Sequence, residues 1–147
     1  MKNGESKLQI NCVKWFDLQY PKLKQLLFAI PNGHVRNKIT ASICKAEGVR
    51  AGVPDVFLSV AANPKANKII KLIEGRFENG AWWEKDSAKP YHGLYIEFKW
   101  DKGKQTDSQK AFEKSVTKQG YRYEIIKDFD SFKNLIEWYL SESDLNK

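Results

Sequence analysis

From Gly93 to Trp100 the side chains alternate with the period of two that belongs to a β-strand. Leu94, Ile96, Phe98 and Trp100 point one way, and Tyr95, Glu97 and Lys99 point the other. A strand with one wholly apolar face has to be laid on a hydrophobic layer, so this stretch commits the chain to a packed sheet. The opposite face carries an acid and a base as neighbours, which is unusual on a strand that must be partly covered.

Elements of both periods surround it. Leu8, Cys12, Trp15 and Phe16 recur at helical spacing, so a helix is expected from about Glu5 to Gln19, and Pro21 cannot continue it. At about 100° per residue, Glu5 and Gln9 fall within the arc of Leu8, Cys12 and Phe16, while Lys7, Asn11, Lys14 and Asp17 lie opposite. A carboxylate on that side is costly unless it is paired or metal-bound. Equally, Glu5 in the first turn complements the helix dipole from a frayed end. Leu26 to Ile30 is a short apolar run closed by Pro31-Asn32-Gly33, a strand followed by a tight reversal. A second helix is expected from about Arg36 to Glu47, with Ile39, Ile43 and Ala46 on one face and Gly48 as its stop. The loop after it delivers Asp55, an exposed acid, to the entrance of an apolar strand from Val56 to Val60.

Residues 61–90 are expected to be an insertion into this core. Asn79-Gly80 is a hairpin signal within it, followed directly by Trp82-Trp83, and a short helix is expected near Ala66–Ile73. The two tryptophans suit either stacking on unpaired bases or covering the core or a partner. Beyond the strand at 93–100, Thr106-Asp107-Ser108-Gln109 fits a capping box and opens a helix with Gln109, Phe112, Val116 and Gln119 on one face. Tyr121 to Ile126 is a closing strand, and Phe132, Leu135, Ile136, Tyr139 and Leu140 form a core-facing helical stripe. The 147 residues are expected to form a single domain, 1–147, burying about 68–70% of the unfolded surface, enough for a core without disulfides.

Several classes are excluded. No apolar run approaches the roughly 18 residues of a membrane span, and the polar start has no secretory h-region. Cys12 and Cys44, in contexts that read as helical core, suit a reducing cytoplasm. With only His34 and His92 besides, a zinc site would lack the usual paired spacing. No phosphate-binding G-x-x-x-x-G-K-[ST] loop is present, so no nucleotide cofactor is expected. The net charge is +7, and residues 1–54 hold nine basic against three acidic side chains, whereas 121–147 hold four against six. A basic front attracts a polyanion through counterion release, although a solvated surface would show the same total.

If the strands at 56–60 and 93–100 pair, Asp55 and Glu97 can converge on one divalent cation, for which carboxylate oxygens are natural ligands. Lys99 would flank that ion and the backbone carbonyl of Phe98 would be a further ligand. Phosphodiester hydrolysis needs what such a site supplies: an activated water, charge neutralisation and alignment. Taken alone, Glu97 and Lys99 are also readable as a surface pair on an edge strand, worth about 0–1 kcal/mol.

The order of short motifs adds a resemblance. Glu5 with Gln9, then Ala29-Ile30-Pro31-Asn32-Gly33, Lys45-Ala46-Glu47-Gly48-Val49-Arg50-Ala51-Gly52-Val53-Pro54-Asp55, Tyr91-His92-Gly93-Leu94-Tyr95-Ile96-Glu97-Phe98-Lys99, Ser108-Gln109 and Gln119-Gly120-Tyr121 follow one another. Together they resemble the VRR-NUC (virus-type replication-repair nuclease) family, a branch of the PD-(D/E)XK nuclease superfamily, in its small stand-alone phage or bacterial form. The match covers residues 5–60 and 91–141, and nothing is carried over to 61–90.

The resemblance implies an α/β fold with a restriction-endonuclease-like core, a central mixed sheet flanked by helices. It implies Mg²⁺- or Mn²⁺-dependent cleavage of DNA in the cytoplasm of a bacterial or phage-infected cell, with a role in DNA repair. Asp55, Glu97 and Lys99 match the catalytic triplet, Glu5 the first-helix acid that completes the metal shell, and Gln109 a glutamine near the site. Gln109 is equally readable as the capping-box partner of Thr106. Small members resemble homodimeric Holliday-junction resolvases, so a branched-DNA substrate is implied; a flap- or duplex-directed or catalytically idle DNA-binding module is the alternative. Arg36, Lys38, Lys45 and Arg50 are candidates for phosphate contact or solvated charges, and Asn32 either shapes the substrate edge or is simply part of the turn.

Overall fold

The computed structural model describes residues 2–31, 38–62 and 90–141. Its elements in chain order are α1 (Lys2–Gln19), a 3-10 helix (Pro21–Leu26), β1 (Leu27–Ala29), α2 (Lys38–Ala46), β2 (Val56–Leu58), β3 (Leu94–Phe98), α3 (Asp107–Lys118), β4 (Arg122–Ile126) and α4 (Phe129–Tyr139). The sheet runs β1-β2-β3-β4, with β1–β2 and β2–β3 antiparallel and β3–β4 parallel. This is the mixed α/β sheet flanked by helices that the sequence led us to expect.

One face of the sheet is the core. Leu94, Ile96 and Phe98 of β3 are buried with Leu8, Cys12 and Phe16 of α1 and with Phe132, Leu135, Ile136 and Tyr139 of α4, so both amphipathic stripes meet the apolar side of β3. Each such side chain fully removed from water contributes about 1.5–3 kcal/mol. The opposite face is covered by α3, whose Phe112 ring meets that of Tyr95 at 5.2 Å. Capping sets where the later helices begin. Thr106 and Gln109 form a reciprocal capping box at α3, and Asp128 accepts from the Ser131 amide at 2.7 Å at α4. Gly120, at φ +84°, follows the end of α3 in a backbone conformation that a side chain disfavours.

Local details depart from the sequence reading. The 3-10 helix, begun by Pro21, takes up Leu26 and shortens β1. Gly48 follows α2 at φ +105°, as a stop should, but Ile39 and Ile43 of that helix are exposed and outside the core. Cys44 is half-buried rather than a core residue; Cys12 is fully buried, and burial pushes its thiol up to about 12. Trp100, beyond the end of β3, is 48% exposed. The hairpin at Asn79-Gly80, Trp82-Trp83 and the helix near Ala66–Ile73 lie outside the described residues. At the base of that segment Ala62 and Tyr91 exchange backbone hydrogen bonds of 3.0 and 2.7 Å, so its two ends emerge side by side from the β2–β3 hairpin.

The core face of β4 also holds charge. Arg122 and Glu124 are both buried and paired, Nε to Oε1 at 2.8 Å, with the guanidinium 5.8 Å from the Tyr91 ring centroid and 5.6 Å from that of Trp138. Alternation on β4 placed these residues on the apolar side, and they are tolerated there because each neutralises the other between aromatic faces.

Candidate active site

The antiparallel register of β2 and β3 sets Val56 opposite Ile96. One step outward, Asp55 comes beside Glu97 as the strand-pairing argument requires. Asp55 is not the freely exposed acid expected at a strand entrance. Its Oδ2 accepts the Phe98 amide at 2.8 Å and its own carbonyl accepts the Ile30 amide at 2.8 Å, so it is half-buried and held from both neighbouring strands. The loop leading to it is locked as well. Gly52 has φ +86°, and a Cβ there would overlap the Ser108 carbonyl in the first turn of α3. Glycine therefore lets the Asp55 loop rest directly on the helix that carries Gln109.

Glu97 is 2% exposed on an interior strand, so the edge-strand surface pair is corrected: α3 covers this end of β3. Its Oε1 accepts from Lys99 Nζ at 2.8 Å and from Gln109 Nε2. Its Oε2 is buried without a hydrogen-bond partner among the described residues. Burial, reinforced by the Asp55 charge, pushes the Glu97 carboxyl up to about 7 against the opposing pull of Lys99 and Gln109. Gln109 makes two contacts at once. Its carbonyl accepts the Thr106 amide at 2.8 Å while its amide nitrogen holds Glu97, so the capping box aims the glutamine at the site.

Asp55, Glu97, Lys99 and Gln109 are thus brought into one cluster, with the Phe98 amide on Asp55 and its ring in the core. Glu5 comes to the end of the same strand, where its Oε1 accepts the Trp100 amide at 3.3 Å. Gly4 lies flat on the Trp100 ring, which admits no side chain there. Among the described residues no three His, Cys, Asp or Glu side chains converge as a metal cage, so Glu5 stands apart from the Asp55–Glu97 pair in this conformation. Lys45 and Arg50 are exposed, and Arg50 turns back to donate to the Lys45 carbonyl at 3.1 Å, closing the end of α2. Lys38 lies in the first turn of α2, and Asn32 and Arg36 lie outside the described residues.

Sequence reasoning missed the far wall. Tyr123 leaves β4 on the Glu97 side of the sheet, and Glu113 of α3 accepts from Gln105 at 2.6 Å nearby. The alternation of β4 carried the signal, since Tyr121, Tyr123 and Ile125 share the face opposite Arg122 and Glu124.

The donor set suits a hard divalent cation. Two carboxylates lie side by side, and one buried carboxylate oxygen lacks a partner while its twin is held in place. Mg²⁺ or Mn²⁺ therefore fits Asp55 and Glu97.

The fold is a mixed four-stranded sheet that brings an aspartate beside a Glu-x-Lys strand, with a helix closing over the glutamate. The same fold occurs in a solved structure described as a VRR_NUC domain protein, with a TM-score of 0.67 and 24% sequence identity over 95% of this chain and 90% of that one. No family model and no curated protein matches the sequence. No helix among the described residues is long and apolar enough to cross a membrane.

Proposed function

We propose that the protein is a VRR-NUC-type, metal-dependent DNA endonuclease that acts on branched DNA, with the four-way junction as its substrate and a homodimer as its working form. The observation that carries this reading is the Asp55–Glu97–Lys99 cluster, with Glu97 buried, held by Lys99 and Gln109, and left with one unpartnered oxygen. Support also comes from the shared fold and from the motifs that resemble the family.

In this reading Asp55 and Glu97 hold the ion, with the Phe98 carbonyl as a further ligand and Glu5 as an outer carboxylate. A bound Mg²⁺ or Mn²⁺ supplies a water of lowered pKa and neutralises charge on the scissile phosphate. Phe98 fixes Asp55 through its amide, and Gln109 fixes Glu97, so both carboxylates are set before substrate arrives. Lys99 places its ammonium where negative charge builds as the attacking oxygen adds to phosphorus, and it orients that oxygen. The basic front, through Arg36, Lys38, Lys45 and Arg50 with Asn32 at the edge, draws in the DNA backbone.

The test is product mapping on a mobile-core four-way junction, a flap and a plain duplex with Mg²⁺, against an EDTA control. Paired symmetric nicks on the junction are expected. Cleavage confined to flap or duplex would replace the junction assignment, and no Mg²⁺-dependent cleavage of any of the three would overturn the proposal.

A further inference from the structure

Among the described residues, two buried side-chain polar atoms have no hydrogen-bond partner: Glu97 Oε2 and Tyr123 Oη. They belong to one neighbourhood. β4 runs parallel to β3 with Tyr123 opposite Tyr95 and Ile125 opposite Glu97, so Tyr123 and Glu97 project from the same face, beneath α3. The phenol is 5% exposed, and burial, with the carboxylates of Glu97, Glu113 and Asp55, holds its pKa above the ordinary tyrosine range against the opposing pull of the neighbouring Gln105 side chain. Towards that side chain its oxygen can only accept, and so it keeps its own proton to donate. It therefore remains an O–H donor at working pH.

The two orphans are complementary in kind. One is a donor, the other a carboxylate acceptor, and they are not bonded to each other. Buried polar groups in folded proteins are satisfied by protein or by ordered water, and a water needs two or more polar partners to stay. Groups that hold the ligands or waters of a metal ion commonly set its affinity by 10–100-fold.

We propose that Tyr123 is a positioning residue of the Asp55–Glu97 site, its hydroxyl holding a water molecule that is shared with Glu97 Oε2 or with an ion bound there. This rests on the divalent-cation reading given above.

The experiment is calorimetric titration of Mn²⁺ alone into the full chain as wild type, Tyr123→Phe and Tyr95→Phe, with ion-free melting recorded for each. Tyr95 serves as the control because its ring packs 4.5 Å from Phe57 on the same face, without an orphaned hydroxyl. The expected result is Mn²⁺ binding about tenfold weaker in Tyr123→Phe, unchanged in Tyr95→Phe, with ion-free melting of Tyr123→Phe equal to or above wild type. Equal Mn²⁺ affinity in wild type and Tyr123→Phe would overturn the role of Tyr123 alone. Ion-free melting of Tyr123→Phe well below wild type would also overturn it, since the hydroxyl would then be a structural bond. Absence of Mn²⁺ binding by wild type would overturn the metal reading and this proposal with it.

Discussion

Raising the pH of the ion-free protein should weaken its fold through Glu97. Burial lifts this carboxyl from an ordinary 4.5 to about 7, so between those values the folded chain binds the proton more tightly than the unfolded chain. The stability linked to that proton is fully present below pH 4.5 and lost as pH rises through about 7. At about 1.36 kcal/mol per pH unit, the displacement corresponds to about 3 kcal/mol. For a domain of this size that is roughly 6–12 °C in melting temperature. Glu97→Gln is the reference, because its amide is neutral at every pH and keeps an oxygen for Lys99 and Gln109. Urea unfolding of both proteins from pH 4.5 to 8.5, in EDTA, gives the difference curve, in which the titration of groups that do not interact with Glu97 cancels. The wild type should lose about 3 kcal/mol relative to Glu97→Gln across that range. Mg²⁺ at about 100 times its dissociation constant should return about 2.7 kcal/mol at pH 8. A flat difference curve, or one that rises with pH, would refute the argument that burial dominates the electrostatics of Glu97.

Other perturbations separate positioning from chemistry. Gly52→Ala should destabilise by about 1–3 kcal/mol in urea and weaken Mn²⁺ binding, because its left-handed backbone and contact with Ser108 set the Asp55 loop on α3. Thr106→Ala should cost about 1 kcal/mol through the lost cap while sparing cleavage, whereas Gln109→Ala should show a similar loss of stability and about tenfold slower cleavage as well. Arg122→Met should cost about 3–5 kcal/mol in urea by leaving Glu124 buried and uncompensated, and Arg122→Met/Glu124→Leu should recover most of it.

Much of this arrangement was legible in the chain. The alternation of 93–100, the 3.6-residue stripes of α1 and α4, the capping box at Thr106 and the stop at Gly48 are local signals, and local physics decides each of them. That Asp55 and Glu97 could converge was expected on condition that their two strands pair, and the structure supplies the antiparallel register that brings them together. Effects that depend on what covers a surface were not legible. Burial of Glu97 comes from α3 closing over β3, and the half-buried state of Asp55 from the Phe98 and Ile30 amides, which lie far away in sequence. Ile39 and Ile43 share a helical face as their spacing says, yet no periodicity states whether such a face meets a core. Arg122 and Glu124 look like surface charge on a strand until Tyr91 and Trp138 are brought against them. Gln109 caps α3 and reaches Glu97 together because one position in the first turn of the helix serves both contacts.

Metal-dependent hydrolysis of DNA is proposed to depend on both Asp55 and Glu97. That dependence is tested most directly by single-turnover nicking of a labelled four-way junction at saturating Mg²⁺, comparing wild type with Asp55→Asn and Glu97→Gln. Both substitutions keep side-chain shape while removing the charge that would hold the ion. Rapid wild-type nicking that stops in EDTA is expected, with rates at least about 100-fold lower in both variants and junction binding retained. Cleavage by either variant at the wild-type rate would contradict that dependence.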